Sequence, residues 1–167
     1  MRVVCTGHGP MGESRIRSDR EVPAVAFPGT GVVAALWSAD APAAYPDSGT
    51  NPQAEGFFPP LGGVRASLIR VDPVEAARRV GGDIDVIAPG LAESMEDADA
   101  GVHRTDTTDF VYVIDGSIAL TVGADRVVLD AGDVAVQNGT SHSWRNEGDR
   151  PATLLVFMIG ATRTPPR

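Results

Sequence analysis

Three histidines, His8, His103 and His142, are the only imidazoles in the chain. Imidazole is the side chain suited to proton transfer near neutrality and to transition-metal ligation. Two of the three stand in frames dense with other polar groups. The first, HRTDTTDFVYVIDG, runs from His103 to Gly116 and places Thr105 and Asp109 after the histidine. The second, GDVAVQNGTSHSWRN, runs from Gly132 to Asn146 and carries Asp133, Gln137, Gly139, His142 and Trp144. His8, in TGHG, reads as a loop residue. Cys5 is the single cysteine and has no activating neighbour, so no reactivity is assigned to it.

These two frames resemble the paired motifs of the cupins, HxHxxxExxxxxxG and GDxxxxPxGxxHxxxN. His103 falls on the first histidine, Asp109 on the glutamate and Gly116 on the closing glycine of the first motif. Gly132, Asp133, Gly139, His142 and Asn146 match the second. The resemblance covers Gly101 to about Ile159 and is nearest to small single-domain cupin-2 proteins. It departs in two places. Thr105 stands where a second histidine belongs, and the second motif is one residue short, with Gln137 near the usual proline. The resemblance implies an all-β, jelly-roll β-barrel. It also implies a divalent metal, and by position His103, Asp109 and His142 carry over as its ligands while Thr105 does not.

Strand geometry supports that carry-over. Residues two apart in a strand share a face. His103 and Thr105 would point inward together, as would Asp109, Val111 and Val113, with Phe110 and Tyr112 on the other side. Two imidazoles and a carboxylate with open positions suit Fe(II) and make a workable catalytic zinc set; Mn and Ni stay open as well. A metal-free alternative uses the same His103, Asp109 and His142 as an acid–base site. Thr105, Val111, Val113, Gln137 and Trp144 are the expected substrate contacts, although for Gln137, as for Asn146, satisfying loop backbone is the preferred role. Arg104, Arg145, Arg65 and Arg70 are expected at the surface.

The elements that must hold these groups read as short strands. Val3–Thr6, Ala24–Phe27, Val32–Trp37, Arg65–Val71, Phe110–Ile114, Ser117–Val122, Arg126–Leu129, Val134–Gln137 and Thr153–Ile159 are β-branched or alternating runs broken by Gly, Pro, Asp or Asn. Closely spaced short strands predict a sandwich or barrel. Ala39–Pro60, rich in proline, predicts a long surface loop whose end is docked by Phe57 and Phe58. Asp72-Pro73-Val74-Glu75 is a capping-box pattern and predicts a two-turn helix ending near Gly81-Gly82. Gly90–Ala98 predicts a second helix, with the acidic run Glu93–Asp99 as its solvated face. The tail, Thr162–Arg167, is expected to fray. One domain is expected over residues 1–167. Residues 1–73 supply N-terminal strands and the long loop, and 101–159 the motif core.

Composition narrows the partners. The 167 residues carry 14 basic and 22 acidic side chains, for a net charge of −8. All the basic residues are arginine. Nucleic acids and anionic membranes need a basic face, so both are disfavoured. No apolar run approaches the ~20 residues of a membrane span. The N-terminal residues lack the apolar stretch of a signal peptide, and a cytoplasmic protein is expected. A small-molecule substrate and a homodimer, with Val3–Thr6 and Val32–Trp37 meeting across a two-fold, complete the expectation. The favoured chemistry is that of a metal-assisted lyase, dehydratase, decarboxylase, isomerase or cyclase acting on a carbonyl compound. An Fe(II) dioxygenase and a non-catalytic binding or sensor barrel are the alternatives.

Overall fold

The computed structural model describes residues 1–50 and 54–164. Residues 51–53 of the long proline-rich segment and 165–167 of the tail lie outside them. The first strands are β1 (Arg2–His8), β2 (Ser14–Glu21), β3 (Val25–Phe27), β4 (Gly31–Ala39) and, after the long segment, β5 (Val64–Val71). Three single-turn helices follow, α1 (Val74–Ala77), α2 (Ile84–Ile87) and α3 (Leu91–Ser94). The remaining strands are β6 (Met95–Asp97), β7 (Val102–His103), β8 (Thr107–Asp115), β9 (Ser117–Val122), β10 (Asp125–Asp130), β11 (Val134–Asn138), β12 (Ser143–Arg145) and β13 (Ala152–Gly160).

The strands form a six-stranded sheet in the order β11-β8-β13-β5-β4-β3 and a three-stranded sheet, β10-β9-β12. Two further pairs, β1-β2 and β6-β7, stand apart from these. Every pairing is antiparallel. The all-β expectation is met, and β3, β4 and β5 extend the sheet that carries the first motif.

Period-two patterning sets the core. On β8, Thr107, Asp109, Val111 and Val113 are buried, while Phe110, Tyr112 and Ile114 are exposed. On β13, Ala152, Leu154, Val156 and Met158 face the same interior. Ile118 of β9 joins them, with Leu120, Leu129 and Trp144 packed alongside. The two sheets therefore close over one apolar interior, each buried valine or leucine contributing roughly 1.5–3 kcal/mol. The β8–β9 turn needs its glycine. Gly116 has φ +78°, and a Cβ there would lie 2.7 Å from the Pro151 carbonyl oxygen.

Several local expectations are corrected. The capping box does not form: α1 starts after Pro73 with no side-chain cap and lasts one turn. Asp72 pairs instead with Arg70 at 3.1 Å. The second helix stops at Ser94, and Met95–Asp97 becomes a strand opposite β7. The acidic run is therefore not one helix face, and Glu96 within it pairs with Arg104 at 3.0 Å. An unexpected helix, α2, is capped by Asp83, whose carboxylate accepts from the Asp85 N–H at 3.0 Å. His8 ends β1 rather than lying in a loop. β2 was not legible because its sequence, SRIRSDRE, is almost wholly charged or polar and solvated. No helix among the described residues is long and apolar enough to cross a membrane.

Arg65 is the largest departure. It is 5% exposed rather than at the surface. Residues 54–63 bring the Gly56 carbonyl to its side chain, and the ends of β4 and β5 bring two more. The guanidinium donates to the carbonyls of Gly56 at 3.1 Å, Ala39 at 3.2 Å and Val64 at 2.9 Å. It also pairs with Asp40 at 2.6 Å. A planar group with five donors is suited to such a cluster of acceptors. Arg70, by contrast, is exposed as expected.

Candidate active site

The two motif histidines meet through their backbones. His103, at the end of β7, and His142, just before β12, form an isolated antiparallel bridge. Its two N–H···O=C bonds are 2.9 and 3.0 Å. Residues so paired project to the same side, and the imidazole centroids lie 4.3 Å apart at 52°. Each ring is oriented by the chain just before it. His103 Nδ1 lies 3.1 Å from the Gly101 carbonyl oxygen, and His142 Nδ1 lies 2.8 Å from that of Thr140. A carbonyl only accepts, so Nδ1 carries the proton in both rings and Nε2 of the neutral imidazole presents its lone pair.

The turn before His142 depends on Gly139. Its φ is +61°, and a Cβ would sit 3.1 Å from the Thr105 carbonyl oxygen. Arg163 spans the same place. Its Nη2 donates to the carbonyls of Thr105 and Gly139, both at 2.9 Å, and its Nε to Asp106 at 2.5 Å. One guanidinium from the tail thus ties the loop after His103 to the turn before His142. The expected fraying does not hold at this residue.

Asp109 faces the interior from β8 and is 7% exposed. Burial pushes its carboxyl above the ordinary carboxylate range, with a Thr107 hydrogen bond and the His103 charge pulling the other way. Its Oδ1 is buried without a hydrogen-bond partner. The hydroxyls of Thr105 and Thr107 are 2.8 Å apart, so a short hydroxyl chain runs up to the carboxylate. His142 moves oppositely. Burial lowers it from 6.5 to about 4; its bond to Thr140 opposes this and the His103 charge adds to it. At neutral pH His142 is uncharged.

All three groups line one cavity of about 460 Å³ and, among the described residues, are the only ionisable side chains that do so. Apolar residues make most of the remaining wall, Val111 and Trp144 among them. The Trp144 ring meets His142 edge-on, 6.2 Å between centroids and 86° between planes. Phe57 and Phe58 close another side. They pack at 5.1 Å edge-to-face, and Phe57 stacks on Phe27 at 5.6 Å. The docking expected of this pair is present, but its place in the cavity wall was missed. Two adjacent aromatics in a proline-rich segment were the available signal.

Three expected substrate contacts lie elsewhere. Val113, fully buried, belongs to the core because the interior is already filled at its level. Gln137 is 4% exposed and bonds Thr140, accepting from its hydroxyl at 2.9 Å. Thr105 is 5% exposed and engaged with Thr107. None of the three lines the cavity. Asn146 holds the Val71 and Arg150 carbonyls at 2.8 and 2.9 Å, the backbone role preferred for it.

The expected three-ligand metal set does not assemble. Among the described residues no three His, Cys, Asp or Glu side chains are grouped closely enough to hold a metal ion. An aspartate at position 109 is one methylene shorter than the glutamate of the motif, and Thr105 supplies no imidazole to make up the count. The paired Nε2 atoms remain available as two donors, short of the three protein ligands of a catalytic centre.

Comparison with known proteins places the site in a family context. Residues 90–158 match the family model described as "Cupin domain". Over 57 residues the chain is 53% identical to "Oryzines biosynthesis cluster protein J" of Aspergillus oryzae, covering 34% of this chain and 32% of that protein. Over 74 residues it is 32% identical to "Cupin-domain-containing oxidoreductase srdB" of Neurospora crassa, covering 43% and 34%. The matched segment thus spans about a third of the length of these relatives. The fold is similar to the Schizosaccharomyces pombe Cnp3 cupin domain, with a TM-score of 0.50, 11% identity, and coverage of 95% of this chain and 87% of that one.

Proposed function

We propose that this chain, which carries a cupin domain of the Cupin_2 family, is an enzyme that moves a proton on an apolar, carbonyl-containing small molecule. The chemistry is of the isomerase, dehydratase, lyase or cyclase kind. One observation carries the reading. A largely apolar cavity of about 460 Å³ contains three ionisable groups, and burial drives two of them in opposite directions. Neutral His142 offers Nε2 as proton acceptor, and Asp109, held toward its protonated form, is the donor. Pairs of titratable groups pushed apart by their surroundings mark an acid and a base. His103, its ring centroid 4.3 Å from that of His142, presents a second Nε2 that can accept a hydrogen bond from a substrate hydroxyl or enol. The apolar wall excludes water, so charge developing on a carbonyl oxygen interacts strongly with these groups. The walls suit a flat, partly aromatic or polyketide-like compound, and the biosynthesis-cluster name of the Aspergillus oryzae relative supports a place in secondary metabolism.

A second reading, oxidation, is supported by the name of the Neurospora crassa relative. Both are tested with simple β-diketones in D2O after chelator treatment of the protein, following α-proton exchange by NMR and oxygen by electrode. Exchange above buffer is expected, falling ~10²-fold or more in His142→Ala and Asp109→Asn. Substrate loss that depends on oxygen uptake and on added Fe(II) favours oxidation. Exchange unchanged in both variants overturns the proton-transfer reading.

A further inference from the structure

A second cavity, of about 500 Å³, lies along the same inner face of the large sheet. The inward row of β5 is divided between the two. Ile69 and Val71 line the active-site cavity, Arg65 and Ser67 the second. Phe57 stands in both walls and partitions them. Much of the second wall is apolar, with Val33, Trp37 and Ile87 among its residues. Among the described residues, Arg20 and Arg65 are the only ionisable side chains lining it. In a chain with 22 acidic and 14 basic side chains, a cavity with two arginines and no carboxylate in its wall is a local reversal of charge. The two arginines differ. Arg65 is neutralised by Asp40 at 2.6 Å and donates to backbone carbonyls. Arg20, half-buried on β2, is in no ion pair among the described residues. β4 bulges between Ala35 and Trp37, and there the Leu36 carbonyl accepts from Arg20 Nη2 at 3.0 Å. That bond holds the guanidinium at the cavity wall and takes one of its five donors. Ser67 is a second polar group of the wall. It is 5% exposed, and its hydroxyl is in no hydrogen bond among the described residues.

We propose that this second cavity is a binding site for a small apolar carboxylate, whose anionic end Arg20 holds and whose body lies against Trp37 and the aliphatic wall. Three arguments select that ligand. A guanidinium keeps its charge at every accessible pH and presents a planar fork of donors suited to a carboxylate. Arg20 lacks the acidic partner that Arg65 has, so a ligand supplies it. The wall offers few other polar groups, so a sugar or a polyphosphate would leave most of its oxygens against valine and indole. The volume is that of a small-molecule site. Ser67, in the sheet floor, adds a hydroxyl donor that no protein group claims.

Titration of the chain with 2-naphthoate, followed by NMR of the two tryptophan indole N–H groups, tests this. Trp37 lines the second cavity and Trp144 the first, so the two signals report which one is filled. Trp37→Phe assigns them. A saturable shift of the Trp37 signal is expected below about 1 mM. The uncharged isostere 2-naphthamide is expected to bind at least about tenfold more weakly. Arg20→Gln is expected to weaken naphthoate at least about tenfold and Ser67→Ala about threefold. Naphthoate that shifts only Trp144, naphthamide that binds as tightly as naphthoate, or an affinity unchanged in Arg20→Gln each overturns the proposal. Ser67→Ala removes a single oxygen and decides the matter where circular dichroism shows that Arg20→Gln disturbs the β1–β2 hairpin; an unchanged affinity there overturns the proposal as well.

Discussion

His142 should make the fold acid-sensitive by an amount its burial sets. The ring is held at about 4 against an ordinary 6.5, so between these values the unfolded chain binds a proton that the folded chain refuses. Stability then falls as pH drops below 6.5, and the loss is complete below about 4. Linkage puts the full effect at about 3 kcal/mol, and at about 2 kcal/mol between pH 7 and pH 5. Asp109 opposes this, because a carboxyl raised in the folded state contributes stability at low pH that is lost as pH rises through its folded value. His142→Gln isolates the histidine, since it removes the titration and leaves Asp109 in place. Urea denaturation at pH 7, 6, 5 and 4.5 should show wild type losing about 2 kcal/mol more than His142→Gln by pH 5. The His142 ring proton should titrate in the folded protein well below the shift midpoint of a free histidine. Equal pH slopes for the two proteins, or a ring titrating near 6.5, would refute the claim that burial governs this group.

Arg163→Ala removes the tie between the Thr105 and Gly139 carbonyls; proton exchange activity should fall at least about tenfold with a cost near 1 kcal/mol in stability, and unchanged activity would show the tie to be dispensable. Arg65→Met removes the guanidinium that bonds the carbonyls of Gly56, Ala39 and Val64 and leaves Asp40 without its buried partner; a loss of about 3 kcal/mol or more is expected, with faster elastase cleavage at Ala43 and Ala44. Thr105→His adds an imidazole on the face of His103, and isothermal titration should show zinc binding at least about tenfold tighter than wild type. Equal affinity for the two proteins would mean that position 105 does not face the histidine pair.

The motif strands were legible because their alternation is strict. On β8 and β13 apolar or small residues recur every second position, and one buried face forces that pattern. The convergence of His103 and His142 followed from the paired frames. What could not be read was long-range. Arg65 looks like any strand arginine until the carbonyls of Gly56, Ala39 and Val64 gather around its guanidinium. Val113 and Val111 are indistinguishable by pattern, yet only Val111 reaches the cavity, because depth along a strand is not encoded in period two. Gln137 and Thr105 have polar types that suit ligands, but each is claimed by a local hydroxyl. Phe57 is separated from the motifs by over forty residues, so no spacing connected it to the site.

The alternation along β8 separates a cavity face from a solvent face. Asp109 and Val111 face the cavity while Phe110 and Tyr112 face outward from the same four-residue stretch. Anything that rigidifies the outer face fixes the backbone that aims the carboxylate. Asp109 has one buried oxygen with no partner among the described residues, and Thr107, which bonds the carboxyl, stands on the same strand. A buried donor restrained from its own strand needs a stiff backbone, since proton transfer fails when donor and acceptor drift beyond hydrogen-bond reach. Hydrogen bonding of β8 to β11 on one side and to β13 on the other supplies that stiffness without placing another polar group in the cavity, where one would compete with substrate for the Asp109 oxygen.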